Sequence, residues 1–441
     1  MAQSFRGGIR PEGRKITSKS KIGTVEAGDV VRLPLGLPVG EEALVCVEPG
    51  DRVLRGQCVA HAAPGLSLPV HSPVSGRVLG VENARLASGT GRVLVIENDR
   101  KDETSPEAVP WQTPLSQAAP EELTAFLKEK GVAGMGGAAF PAWAKADAAR
   151  DKVKILLVNG CESEPYLTAT HRLLLEKTAE VVGGVKILMR ATGAAHAIFA
   201  VETDAEDAVE KLMEAVAGSP AFSVNAVKAK YPQGDERILA QTVLGREVPH
   251  GATLPDIGAV CFNAETAWSV YRAFVRGLPQ TERLLTVSGD AVNDPAVLLV
   301  PIGTSFQAVF DRCGGFSRKP ERLIAGGPLM GRTLRDADAP VSKDTVAALA
   351  LLSAPTYDEK GACIRCGRCL SACPMHLMPL HFHRLAAAGK WAAMEKYFVS
   401  DCTLCGACAT VCPARLPLSE DARRGKAAVK AARGDAGKEG R

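Results

Sequence analysis

Apolar and polar positions change their period several times along the chain, and each change marks a change of architecture. Residues 1–32 are polar, rich in glycine and lysine and without a sustained period, and they read as an extended arm. From 33 to about 100, short β-rich runs such as ALVCVEPG and RVLVIEN are broken by proline and glycine, the pattern of a small all-β module. Residues 101–120 form a polar linker with four prolines. From 121 (EELTAFLKEKGVAG) to about 280, helical stretches alternate with buried apolar strands. These are KILLVNG at 154–160, a helix at 172–193, HAIFAVE at 196–202, a helix at 205–217 and AVCFN at 259–263. Such alternation predicts a layered α/β domain over 121–280. Residues 283–316 predict two strands, a turn and a helix opening near Thr304, and with ERLIAGGPLMG (321–331) they suggest a compact β-grasp-like unit over 283–352. Residues 355–417 set cysteines between short helices, and a basic tail follows at 418–441. The expected fold class is multidomain α/β.

Composition narrows this little. At 441 residues about two to four domains are expected. With 46% hydrophobic and 23% charged residues the chain can bury a sizeable core, which excludes wholesale disorder and collagen-like repeats. No apolar run approaches the roughly 18–20 residues that span a bilayer. The opening MAQSFRGGIRPEGRK has no apolar signal core, so a cytoplasmic protein is expected. The net charge of +4 sits entirely in residues 421–441, which hold seven basic and three acidic side chains; the other 420 residues hold 46 of each. A neutral body argues against nucleic acid. The tail reads as a solvated, frayed helix or as a contact for an acidic partner or anionic lipid. Within the all-β module, VEPGDRVLRGQCVA (47–60) and SPVSGRVLGVEN (72–83) resemble the halves of a biotinyl/lipoyl-type barrel-sandwich hybrid. Carriers of that type present a lysine between the halves, and AAPGLSLPVH (62–71) has none, so the module is scaffold.

Cysteine is the most informative residue. Of thirteen, eight fall within 363–412, as Cys363-x2-Cys366-x2-Cys369-x3-Cys373-Pro374 and Cys402-x2-Cys405-x2-Cys408-x3-Cys412-Pro413. Both runs match the bacterial two-cluster ferredoxin spacing, in which the fourth cysteine ligates the other cluster. Cluster I is then expected on Cys363, Cys366, Cys369 and Cys412, and cluster II on Cys402, Cys405, Cys408 and Cys373. Structural zinc usually takes two Cys pairs some 12–20 residues apart, a different pattern. Cysteines 46, 58, 161, 261 and 313 are scattered and read as buried small hydrophobes.

The segment Gly134-Met135-Gly136-Gly137-Ala138-Ala139-Phe140-Pro141 formally satisfies G-x-G-x-x-A. That fingerprint should follow a strand and be followed by an acidic residue about 20 positions on. Here a helix precedes it and a strand follows, so an ordinary Rossmann reading is set aside. What remains is a loop of exposed backbone running into a helix with Pro141 near its first turn. Amides at a helix N-terminus bind phosphate, and Lys145 on that helix offers a charge to the same anion.

GMGGAAFPAWAK (134–145) is similar to the G-x-G-G-[AS]-x-F-P-x-x-x-K segment that grips FMN and NADH in the flavoprotein subunit of respiratory complex I. Asn159-Gly160-Cys161-Glu162-Ser163-Glu164-Pro165 resembles that family's N-A-D-E-S-E-P loop, and Asn263-Ala264-Glu265-Thr266 its N-V-E-T. Tyr231-Pro232-Gln233-Gly234-Asp235-Glu236 lies where the family has a Gly-Glu-Glu turn. The full order, FRGGI and hybrid barrel, flavin domain, β-grasp (SLBB-like) unit and two ferredoxin motifs, resembles the C subunits of Rnf electron-transport complexes along nearly the whole chain. CIRCGRCLSACPMHLMP (363–379) and CPARLPL (412–418) add to the match. Two departures stand out against complex I: Cys161 replaces an aspartate that would reach the flavin ribityl chain, and there are two cluster motifs rather than one.

The resemblance implies a non-covalent FMN on Gly134, Gly136 and Gly137, with Lys145 and the helix N-terminus at its phosphate. It implies Asn159 and Ser163 at ribityl or ring, Asn263 and Thr266 on the phosphate side, and Phe140 stacked on adenine. Glu164 would hydrogen-bond the dinucleotide, Glu162 and Glu164 would repel a 2′-phosphate and so favour NADH, and Tyr231, Gly234 and Glu236 would complete the set. Two [4Fe–4S] clusters would carry single electrons to or from integral and cluster-bearing subunits, in a complex coupling ferredoxin/NAD electron transfer to Na⁺ or H⁺ translocation. Ferredoxin would be an indirect partner, and attachment peripheral, at the cytoplasmic face of a bacterial membrane. The alternative is a soluble flavin/iron–sulfur reductase such as the cobalamin reductases, which are similar from the glycine loop onward; the N-terminal 100 residues favour the first reading. A bare electron wire without nucleotide binding is opposed by the intact glycine loop.

Overall fold

A computed structural model describes residues 2–353 and 361–436; residues 355–360 of the expected cysteine region and 437–441 of the expected tail lie outside them. The N-terminal module is a pair of small antiparallel sheets. Val30–Pro34, Gly89–Asn98, Gly76–Leu86 and Arg52–Val53 form one, and Leu44–Val45, Cys58–His61 and Val70–His71 the other. Their inner faces bury Val31, Leu33, Val53, Val59, Leu94 and Ile96.

The central domain is built on a four-stranded, fully parallel sheet: Phe222–Val227, His196–Glu202, Ile155–Asn159 and Ala259–Asn263 in that spatial order. Alternation along each strand explains why both faces are covered. Leu156, Val158, Phe199, Val201, Val260 and Phe262 point into one apolar core, and Leu157, Ala200 and Cys261 into another on the opposite face. The β-grasp unit crosses helix Phe306–Arg312 over a sheet in which Glu282–Ser288 pairs antiparallel with Ala296–Pro301 and parallel with Ala347–Leu351. No helix among the described residues is long and apolar enough to cross a membrane.

Several expectations change in the folded chain. The helix expected at 172–193 is two, Ala169–Glu176 and Thr178–Thr192, because Lys177 sits at φ −130°, ψ 27°, outside helical space. Edge strand Phe222–Val227 and helix Glu236–Leu244 were not anticipated; the helix is started by Asp235, whose carboxylate accepts the amides of Arg237 and Ile238. The arm is no loose extension. It bridges to Val227 and Tyr231, donates Gly8 N–H to Ala372 O at 2.9 Å, and adds Ile22–Thr24 as a parallel edge of the β-grasp sheet. The linker is pinned by Trp111, whose ring packs on Phe126 and Phe274 at 5.2 and 5.5 Å. The expected frayed tail is helix Leu418–Ala436, which starts inside the cysteine domain's core. Its Leu418, Ala422 and Val429 are buried, Asp421 bonds His383 at 2.7 Å and Lys426 caps Cys402 O at 2.6 Å. Its exposed face carries Arg423, Arg424 and Lys430.

One buried pair ties the β-grasp unit to the α/β domain. Arg283, on Glu282–Ser288, has no exposed surface; it donates to Thr345 O at 2.7 Å and Met135 O at 3.0 Å and faces Glu265 at 3.7 Å. Burial pushes Glu265 up to about 7, against the pull of Arg283. Removing one member of a buried pair strands the other. Arg283→Met is therefore expected to destabilise the chain by about 3–5 kcal/mol, and adding Glu265→Leu to recover most of that, read from denaturation midpoints. A folded-state pKa above the usual carboxylate value means the fold binds more protons than the unfolded chain. This stabilisation is full below about 4.5 and is lost as pH rises through about 7, and Glu265→Gln should flatten that slope.

Candidate functional site

Numbered along the chain, the parallel strands lie in the order three, two, one, four, so winding reverses between Ile155–Asn159 and Ala259–Asn263. Crossovers leave on opposite sides there and open a crevice beyond the carboxyl ends of the strands. The terminal residues of those two strands, Asn159 and Asn263, are register partners. A cavity of about 590 Å³ occupies this crevice, roofed by the β-grasp unit. Every flavin- and nucleotide-site residue named from sequence lines it: Gly134, Gly136, Gly137, Phe140, Lys145, Asn159, Glu162, Ser163, Glu164, Tyr231, Gly234, Glu236, Asn263 and Thr266.

The glycine loop is held at its base and open along its rim. Gly134 N–H donates to Phe140 O at 2.8 Å, closing the loop. Met135 is gripped from both sides, its N–H donating to Thr266 Oγ1 at 2.9 Å and its carbonyl accepting from Arg283. The amides from Gly136 to Phe140 have no acceptor among the described residues. Gly137 sits at φ +96°, and a Cβ on Gly136 would lie 2.5 Å from Asn263 Oδ1. Unpaired successive amides running into helix Ala142–Ala149 make a cradle suited to phosphate. The side chains of Ser163 and Asn263 also border the cavity with no protein hydrogen-bond partner among the described residues. The chain's own groups therefore fit a phosphorylated, polyhydroxylated ligand.

Several side chains expected to touch ligand also make hydrogen bonds within the protein. Lys145 Nζ donates to Glu236 at 2.7 Å and to Cys261 O at 3.0 Å. Burial works against its charge, but Glu236 and Cys261 together hold the ammonium above its usual pKa. Asn159 donates to Gly234 O at 2.8 Å and accepts from Cys161 N at 3.0 Å, clasping two loops. Glu162 accepts the amides of Thr170 and His171, so it starts helix Ala169–Glu176. Glu164 accepts the amides of Leu329 and Met330 at 2.9 and 2.8 Å and holds the β-grasp loop 326–331 against the cleft. Any ligand contact by these groups uses only their remaining lone pairs and protons. Burial keeps the Cys161 thiol neutral and its Sγ faces Ala200 O, so it cannot replace an aspartate's charge.

Sequence reasoning missed the opposite wall: Gly326, Gly327, Met330, Arg332 and Asp344, the last two ion-paired at 2.6 Å. The glycine pair in AGGPLMG was the available signal. Cys405, expected from sequence as a cluster II ligand, also borders the cleft, which its motif did not indicate.

The eight motif cysteines divide between two cavities. Cys363, Cys366, Cys369 and Cys412 surround one, and Cys402, Cys405, Cys408 and Cys373 the other. Their backbones repeat. Arg365 and Leu404 (φ 56° and 57°), Gly367 and Gly406, then His376 and Arg415 (φ 53° and 51°) adopt left-handed conformations at equivalent positions. Such turns aim amides inward: Arg365 N–H lies 3.4 Å from Cys363 Sγ and Leu377 N–H 3.3 Å from Cys373 Sγ. No three of these sulfurs lie mutually within 4.8 Å, whereas one tetrahedral zinc would hold sulfurs about 3.8 Å apart. The nests suit a wider group than a single ion. Cys363 and Cys366 are exposed, Cys373 and Cys405 buried. Tyr231, itself buried, donates its hydroxyl to Cys405 O at 2.5 Å, joining the cleft's floor to the buried nest.

Four family models cover most of the chain: RnfC barrel sandwich hybrid domain (3–101), Nuo51 FMN-binding domain (127–272), SLBB domain (284–333) and 4Fe-4S dicluster domain (359–416). An NAD⁺-reducing [NiFe]-hydrogenase structure in the air-oxidised state matches with TM-score 0.50 and 19% identity, over 74% of this chain and 69% of that one, a likeness of fold. The C subunit of the Na⁺-translocating ferredoxin:NAD⁺ oxidoreductase complex of Acetobacterium woodii is 38% identical over 89% of each chain. Its proton-translocating counterpart from Clostridium ljungdahlii is 37% identical over 86% of this chain and 83% of its own. The C subunit of the ion-translocating oxidoreductase complex of Rhodobacter capsulatus is 39% identical over 94% and 81%. With its FMN-binding and 4Fe-4S domains in that order, the chain belongs to the family of C subunits of ion-translocating ferredoxin:NAD⁺ oxidoreductase complexes.

Proposed function

We propose that this chain exchanges hydride with NAD(H) at FMN in the cleft and relays single electrons through two [4Fe–4S] clusters to membrane partners, in a complex coupling ferredoxin/NAD electron transfer to Na⁺ or H⁺ translocation. Flavin accepts two electrons as hydride and returns them singly, the conversion an iron–sulfur cluster requires. The loop amides from Gly136 to Phe140 and the free amide of Asn263 would hold the phosphate, and Ser163 the ribityl chain or ring. Phe140 offers a stacking face at the cavity's edge, and the β-grasp loop held by Glu164 would keep water from the reacting face. Lys145 would act on phosphate at a distance, as a charge neutralised in part by Glu236.

Cys405 carries this reading, because one residue borders both the cleft and a cysteine nest. The nest on Cys402, Cys405, Cys408 and Cys373 (cluster II) would stand next to the flavin. The nest on Cys363, Cys366, Cys369 and Cys412 (cluster I), with exposed Cys363 and Cys366 and with Ile364 68% exposed, would stand at the partner. Attachment would be peripheral, at the cytoplasmic face, with the exposed bases of helix Leu418–Ala436 assisting by attraction that salt screens over about 8–10 Å.

Anaerobic reconstitution should give about eight iron atoms per chain and one FMN. Cys373→Ser should alter the cluster II signal and spare that of cluster I; iron near four, or stoichiometric zinc, would sink the assignment. Gly136→Val forces its side chain into Asn263, so FMN affinity should fall at least about tenfold, near 1.4 kcal/mol, in fluorescence titration. Finally, Cys405→Ser should leave flavin bleaching by NADH intact while neither cluster is reduced. Cys366→Ser should leave cluster II reducible but block transfer to the partner. The reverse pattern overturns the order.

A further inference from the structure

Of the five cysteines outside the ferredoxin motifs, Cys261 and Cys313 are buried as expected, but Cys46 is exposed and Cys58 only partly covered. These two lie on the small three-stranded sheet of the N-terminal module, where Leu44–Val45 pairs with Cys58–His61 in the register Leu44↔His61 and Val45↔Ala60. Cys46 continues the ladder, its N–H donating to Val59 O at 3.1 Å. In a regular strand residues 58 and 61, three apart, would face opposite sides. The pairing with Val70–His71 slips between Cys58 and Ala60, so an extra residue is inserted there. Val59 and Ala60 then both point inward with no exposed surface, and Cys58 and His61 emerge on the same side. Cys58 Sγ stands 3.7 Å from His61 Nδ1, and both sulfurs and the imidazole nitrogen lie within 4.8 Å of one another. Among the described residues this is the one group of three such ligands so close.

We propose that Cys46, Cys58 and His61 form a zinc site, with water completing the shell. Tetrahedral zinc with Zn–S near 2.3 Å and Zn–N near 2.0–2.1 Å places sulfur and nitrogen about 3.6 Å apart and two sulfurs about 3.8 Å apart, so the side chains need shift little. Two thiolates and an imidazole select zinc over the oxygen-seeking Ca²⁺ and Mg²⁺. Binding displaces the two thiol protons to solvent, and two thiolates neutralise the dication. The bulge is the device that makes the site, since a regular strand would divide its ligands. The ion would tie the two-residue strand Leu44–Val45 to its neighbour, in a module distinct from the redox centres, and no ligand is shared with either cluster nest.

The test uses the full chain with both clusters loaded, kept anaerobic and dialysed against a chelator, with added Zn²⁺ as probe. About one zinc per chain should remain, with an X-ray absorption shell at the zinc edge of two sulfurs near 2.3 Å and two lighter atoms near 2.0 Å. Cys46→Ser and His61→Ala, both at exposed positions, should each weaken zinc retention about tenfold or more while iron content and FMN stay unchanged. An all-sulfur shell, zinc retention unaltered in both variants, absence of zinc, or a Cys46–Cys58 disulfide in the anaerobic protein would each overturn the proposal.

Discussion

The peptide of Met135 is the point on which the rest of the cleft depends. Its N–H is held by Thr266 on the helix that follows the fourth parallel strand, and its carbonyl by Arg283 on the first β-grasp strand. Arg283 is wholly buried, and a buried cation persists only where partners surround it. Glu265, Thr345 O and Met135 O are those partners, drawn from three segments far apart in sequence. Fixing this one peptide fixes the loop beyond it, whose amides can then stay unpaired toward the cavity. A free loop would satisfy those amides with water or fold onto itself, and the cradle would be lost.

The same economy runs through the other wall of the cleft. Glu162 and Glu164 stand two residues apart and turn to different tasks, one starting a helix and the other holding the loop 326–331. The arm threads beneath them, with Lys15 donating to the carbonyls of Glu162, Glu164 and Leu167. It then reaches the cysteine domain through Gly8, whose N–H bonds Ala372 O, and through Gly7, whose close approach to Cys373 O leaves no room for a side chain. Tyr231 is bridged to Ile9 of the arm and bonded to Cys405 O. One extended segment of polar sequence thus touches both the loops of the cleft and the domain of the nests.

Local signals carried far into this fold. The apolar runs KILLVNG, HAIFAVE and AVCFN marked three of the four parallel strands, since a strand covered on both faces must be apolar nearly throughout. The fourth, Phe222–Val227, is an edge strand, half exposed and mixed in polarity, so nothing in its composition set it apart. Helix Glu236–Leu244 hid behind a turn, and the tail's charge concealed the buried stripe of Leu418, Ala422 and Val429. The docking of the arm could not be read locally, because the partners that hold it lie 147 or more residues away and no period of its own sequence announces them.

By itself the sequence determined the α/β class, the glycine loop and the two cysteine runs, because each rests on spacing within a few turns of chain. Only the tertiary structure decided which groups remain free for a ligand. Lys145, Asn159, Glu162 and Glu164 look like ligand contacts in sequence, yet their hydrogen-bonding capacity is largely taken by segments 8 to 165 residues distant. Likewise Cys405 lies at the cleft, and Cys46 beside His61, only because strand order and a bulge bring them there. A side chain's chemistry is a local property; its vacancy depends on every partner that folding brings within about 3 Å.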